Sequence, residues 1–218
     1  MDFSIARRNM VEGQIRTNRV TDPLVLAALN TLPRELFVPK AMQSICYMDE
    51  EIALGNGRAV MEPLALARLL QEAAVQNTDA VLVIGAGTGY AAAALAHMAS
   101  AVVALESDPD LANGASRRMA DLGIDNVAVV AGPLDQGYPQ QAPYDVIFFD
   151  GAVADIPAAI CTQLAEGGRL VAVVQPDRVQ MGRATLVTRK DGIVGRRDVF
   201  DTNIPLLPGF EPEVTFTF

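Results

Sequence analysis

The chain has 218 residues, half of them hydrophobic, and carries 17 Lys and Arg against 26 Asp and Glu for a formal net charge of −9. That length fits a single domain, 1–218, with a sizeable core, and the acidic balance argues against general affinity for nucleic acid or anionic lipid. Two cysteines (Cys46, Cys161) and one histidine (His97) argue against a disulfide framework or a bound metal. The apolar runs are too short for a membrane span, and Arg7, Arg8, Glu12 and Arg16 interrupt any signal-peptide core. A cytoplasmic monomer or homodimer without membrane partners is expected.

Residues 1–76 read as a helical extension followed by a loop. Thr21-Asp22-Pro23 is a helix start, a capping residue ahead of proline in the first turn, and Leu24, Leu26, Ala27, Ala28 and Leu29 supply its apolar face. A short piece, Arg34 to Val38, is bracketed by Pro33 and Pro39. Tyr47 to Gly57 reads as an irregular loop, and a helix runs from Pro63 to about Ala74. Residues 77–218 then alternate strands and helices, which predicts an α/β, doubly wound, mostly parallel sheet. The strands are Val81 to Ile84, Ala101 to Leu105, Asn126 to Val130, Tyr144 to Phe149 and Arg169 to Val174. Helices are expected after the first strand, over Pro109 to Leu122, which Gly123 ends, and over Asp155 to Leu164. Ala184 to Thr188, Ile193 to Phe200 and Val214 to Phe218 read as antiparallel strands.

The central motif is Gly85-Ala86-Gly87-Thr88-Gly89, between a β-branched strand and an alanine-rich helix. Glycines there let backbone N–H groups approach a ligand, and the helix start offers free donors. Glu106 closes the next strand, where a carboxylate can accept bonds from ribose hydroxyls, followed by Ser107. A dinucleotide fingerprint needs a third glycine where Tyr90 stands, and no Gly-Lys-Ser/Thr follows for a phosphate loop. The tighter spacing points to S-adenosylmethionine; the plainer alternative is an ordinary strand–turn–helix. Ligands in such sheets bind outside the carboxyl ends of the strands, so the edge should also bring in Pro133, Leu134 and Asp150.

Further motifs resemble the protein L-isoaspartate O-methyltransferase family: Met10-Val11, Gln14-Ile15, Val20-Thr21-Asp22, Pro33-Arg34-Glu35 through Val38-Pro39, the spacing Tyr47–Asp49–Gly55-Asn56-Gly57–Pro63, and Gly167-Gly168-Arg169-Leu170. The resemblance implies a class I, Rossmann-like methyltransferase fold. It also implies methyl transfer from S-adenosylmethionine to the carboxylate of isoaspartyl residues in damaged proteins or peptides. A carboxylate is already ionised near neutral pH and needs no general base.

The chain departs from the family pattern in four places. Arg58-Ala59-Val60-Met61-Glu62-Pro63 stands where the family has Gln-Thr-Ile-Ser-Gln-Pro, so Ala59 and Met61 replace both hydroxyls. Val83 and Pro133 replace two acids at the cofactor's methionine and adenine ends, and Asp150 ends its strand where a smaller or neutral residue is expected. No catalytic residue is assigned; Arg58, Ala59 and Met61 form the candidate substrate loop. Arg58 either anchors a substrate carboxylate or pairs locally with Glu62, Glu50 or Glu51. Asp150 is a candidate for the cofactor's ammonium. Methyl transfer to another carboxylate or small molecule, or cofactor binding without turnover, remains the alternative.

Overall fold

The computed structural model describes residues 2–177 and 179–212. The extension begins with α1 (Phe3–Asn9), capped by the Asp2 carboxylate, and winds on through a wide π turn, Met10–Ile15. Helix α2 (Pro23–Thr31) starts as its sequence requires: Asp22 accepts hydrogen bonds from the Leu24 and Val25 amides, and Pro23 occupies the first turn. Helix α3 (Pro63–Ala73) ends on Ala74 in the left-handed region. Between α2 and α3 the expected loop contains a hairpin, β1 (Ile52–Gly55) and β2 (Arg58–Val60), which forms a two-stranded sheet of its own. The four and three residues of these strands were too short for a period-two pattern to register.

The main sheet has seven strands: β3 (Ala80–Ile84), β4 (Ala101–Glu106), β5 (Val127–Ala131), β6 (Tyr144–Val153), β7 (Leu164–Val174), β8 (Arg183–Lys190) and β9 (Ile193–Asp201). Their spatial order is β5-β4-β3-β6-β7-β8-β9, with β3 to β7 parallel and the last two antiparallel. This is the expected doubly wound α/β sheet, and its order reverses between β3 and β6. Alternate residues of each buried strand feed opposite faces. Val81, Val83, Val146 and Phe148 pack under the N-terminal helices, while Leu82, Ile84, Ile147 and Phe149 form a second core. Burial on both faces is why these strands read as continuous apolar runs.

Helices α4 (Tyr90–Ala96) and α5 (Pro109–Asp121) follow their strands as expected. The predicted helix over Asp155 to Leu164 shrinks to α6, Ala158–Cys161. Pro157 holds an extended backbone before it, and β7 already pairs with β6 at Leu164. The second face is completed instead by the segment after β9. Ala152 donates to the Pro205 carbonyl, Leu207 donates back to Ala152, and Leu207 and Phe210 join that core. The predicted strand Val214 to Phe218 lies outside the described residues. Among the described residues no helix is long and apolar enough to cross a membrane.

Arg169, in the Gly-Gly-Arg-Leu motif, links α3 to the sheet. Its guanidinium donates to the Ala73 and Ala74 carbonyls and pairs with Asp79 at 2.5 Å. It thereby satisfies carbonyls that the end of α3 leaves open. Arg169→Ala should lower stability by about 2–3 kcal/mol, whereas Arg183→Ala, at an exposed surface pair, should change it by less than about 0.5 kcal/mol. Urea unfolding of the two variants checks the contrast.

Candidate cofactor site

The crevice lies where the strand order reverses, the place for ligands in such sheets. All three glycines of the turn after β3 have positive φ: Gly85 at 81°, Gly87 at 55° and Gly89 at 95°. Only glycine adopts this succession without strain. The turn is folded against the neighbouring strand, for the Gly85 and Ala86 amides both donate to the Leu105 carbonyl. Tyr90, in the third-glycine slot of a dinucleotide fingerprint, is buried against Phe37, with the Arg34 guanidinium 4.9 Å from its ring centre. Ala86 and Thr88 are buried with the turn.

Glu106, at the end of β4, has no exposed surface. One carboxylate oxygen accepts from the Ser107 and Asp108 amides at 2.8 and 3.1 Å. The other accepts from the Gly87 amide and from Arg58 Nη2, both at 2.6 Å. The same Nη2 donates to the Gly85 carbonyl at 2.7 Å. Arg58 is therefore neither a free anchor nor the partner of Glu50, Glu51 or Glu62; β2 points it into the crevice. Its Nε is buried without a partner.

Leu207 fills the crevice from the opposite side. A Cβ at Gly85 would lie 2.6 Å from Leu207 Cδ2 and 3.4 Å from Arg58 Nη1, and one at Gly151 would lie 2.4 Å from Leu207 Cδ2. The space these glycines leave is thus taken by the chain itself. What remains between Arg58, Met61, Asp150 and Pro205 is a cavity of about 10 Å³, room for about one water. Outside it, a groove of about 380 Å³ runs between the hairpin tip, Asn56 and Gly57, and Ile204 to Pro208.

The other predicted residues fall around this centre. Ala59 and Met61 line the small cavity, and Arg34 holds the loop by donating to the Cys46 and Met61 carbonyls at 2.6 and 2.7 Å. Ser107 is exposed and reaches Glu106 only locally. The Gly132 amide donates to the Glu106 carbonyl, which brings the exposed Pro133 beside the acid, but Leu134 turns into the second core. The sequence reading missed Leu207, Ile204 and Pro205. The apolar, proline-punctuated run Ile204 to Pro208 was the available signal. Among the described residues no group of His, Cys, Asp and Glu could hold a metal.

Residues 6–206 match the protein-L-isoaspartate(D-aspartate) O-methyltransferase (PCMT) family. The chain belongs to that family. It is 42% identical to a protein-L-isoaspartate O-methyltransferase of Methanoculleus marisnigri over 80% of this chain and 79% of that one. It is 36% identical to one from Koribacter versatilis over 96% and 95% of the two chains. A solved protein-L-isoaspartate O-methyltransferase superposes with a TM-score of 0.82 at 27% identity, covering 94% of this chain and 67% of the other. A putative Plasmodium falciparum homologue, solved in complex with S-adenosyl-L-homocysteine, shares the fold at TM-score 0.78 and 19% identity, covering 95% and 98% of the chains.

The donor and acceptor set of this PCMT family member suits a nucleoside sulfonium: a buried carboxylate on β4, an inward-facing glycine carbonyl and a second carboxylate, Asp150. Burial pushes the Asp150 carboxyl up to about 7, against the pull of Arg58 and with the push of Glu106. Its ordinary value is 3.8, so between these values the native state holds a proton that the unfolded chain releases. Its contribution to stability is full below about pH 4 and is lost as pH rises through about 7. Asp150→Asn should therefore gain stability relative to the parent at about pH 8 and gain less at about pH 5. Urea unfolding at both values tests this, and an equal difference at the two would refute it.

Proposed function

We propose that this protein transfers a methyl group from S-adenosylmethionine to the free carboxylate of isoaspartyl residues in proteins and peptides. The observation that carries the reading is the family match over residues 6–206, joined to a buried acid beside the glycine turn at the strand-order reversal. The turn Gly85–Gly89 would approach the cofactor through its backbone, Glu106 would accept from the ribose hydroxyls, and the Gly85 carbonyl and Asp150 would face its ammonium. When bound, S-adenosylmethionine supplies an electrophilic methyl group on a sulfonium.

The protein's share of the work is alignment and exclusion of water, since the attacking carboxylate is ionised before it arrives. Ala59 and Met61 suit that share as apolar lining beside Asp150. The groove between Asn56–Gly57 and Ile204–Pro208, with a volume of about 380 Å³, would receive the peptide segment beside the small cavity. Gln175 and Glu211 line it as hydrogen-bonding groups. The net charge of −9 disfavours nucleic acid and anionic membrane surfaces as partners; action in the cytoplasm as a monomer or homodimer is part of the same proposal. Ala59 and Met61, in place of two hydroxyls, favour one second reading: a different carboxylate or small molecule as methyl acceptor.

Incubation with S-adenosylmethionine labelled in its methyl group should give a base-labile methyl ester on an isoaspartyl peptide and none on the aspartyl peptide of the same sequence. Equal labelling of both peptides, or labelling of neither, would overturn the proposed substrate.

A further inference from the structure

The hairpin β1–β2 covers the glycine turn with two side chains. Leu54 Cδ1 lies 3.6 Å from the position of a Cβ on Gly87, and Arg58 holds Gly85 and Glu106. The two acceptors that Arg58 occupies are the ones a nucleoside ligand with a free ribose and an amino group would use. A guanidinium presents N–H donors and positive charge in one plane, so it serves the same acceptors as ribose hydroxyls and an ammonium. Arg58 thus stands in for the ligand from within the chain.

Several features mark this closure as reversible. The hairpin pairs with no strand of the main sheet, and two-stranded hairpins are marginal by themselves. Its tip carries three successive positive-φ residues, Gly55, Asn56 and Gly57, so backbone rotation is concentrated immediately before Arg58. The buried Arg58 Nε has no partner, and an unsatisfied buried donor weakens the closed arrangement. Glu106 would keep the Gly87, Ser107 and Asp108 amides if Arg58 left, so its carboxylate would remain hydrogen-bonded.

We propose that Arg58 is an intramolecular competitor for the cofactor site, and that the hairpin carrying it must lift from Glu106 before a nucleoside ligand binds. This rests on the reading of the crevice as an S-adenosylmethionine site. The apparent affinity is then the intrinsic affinity multiplied by the fraction of molecules that are open. Leu207, across the crevice, gives way in the same step, because it fills the volume beside Gly85 and Gly151.

Calorimetry with S-adenosylhomocysteine on the full chain and on Arg58→Gln tests the competition. The variant should bind about tenfold tighter or better, as for a site open less than about 10% of the time. Hydrogen exchange on the unaltered protein gives a second readout that needs no variant. Saturating ligand should accelerate exchange in residues 52–60 and slow it at Gly85 to Gly89. Equal or weaker binding by Arg58→Gln than by a parent that binds would overturn the competition and leave the cofactor reading intact. Slowed exchange in both segments would overturn the lifting of the hairpin in the same way. No binding to either protein at millimolar ligand would overturn both this inference and the cofactor site.

Discussion

The buried carboxylate of Glu106 is the constraint on which the rest of the crevice depends. A carboxylate without solvent is tolerated only when donors surround it. Here the donors come from three parts of the fold: Gly87 from the turn after β3, Ser107 and Asp108 from the entrance to α5, and Arg58 from the hairpin. The turn that makes the Gly87 bond folds back against β4 through Leu105, with Gly85, Gly87 and Gly89 at positive φ. The hairpin is then drawn over the sheet edge because its arginine completes the set. One buried charge thereby organises three segments distant in sequence.

A frame belonging to a methyltransferase family is consequently combined with a crevice whose acceptors are satisfied from within the chain. Arg58 occupies the Gly85 carbonyl and the Glu106 carboxylate, and Leu207 fills the volume beside Gly85 and Gly151. Asp150 belongs to the same balance. It shares the enclosed end of the crevice with Arg58, so its proton affinity is tied to where that guanidinium sits. Arg34 contributes from below, fixing the backbone at Cys46 and Met61 and bracing the first residue of α4.

Much of this was legible in the sequence where the cause is local. The capped start of α2 at Asp22-Pro23, the glycine turn, and the apolar strands around it follow from short-range rules of capping, backbone freedom and burial. Glu106 was legible, by its phase on β4, as an acid placed beside the glycine turn. The short extent of the helix predicted over Asp155 to Leu164 was not, because the extended backbone at Pro157 delays its start and pairing between β6 and β7 claims its last residue. The hairpin was missed for a related reason: its pairing joins residues on either side of a glycine-rich tip with too few positions to show a period. Leu207 lay in a segment with no regular structure, and only its docking along β6 brings it to Gly85.

The partner of Arg58 shows the division most sharply. Sequence proximity offered Glu50, Glu51 and Glu62, yet the guanidinium pairs with Glu106, 48 positions away. The sequence by itself determined the α/β class, the turn, the acid after the second strand of the sheet, and family resemblance, because each is encoded in neighbouring residues. Tertiary structure alone decided that the crevice is filled from within. Ion pairing and packing depend on distance in space, and a buried arginine takes whichever acceptors the folded chain presents where water cannot serve them.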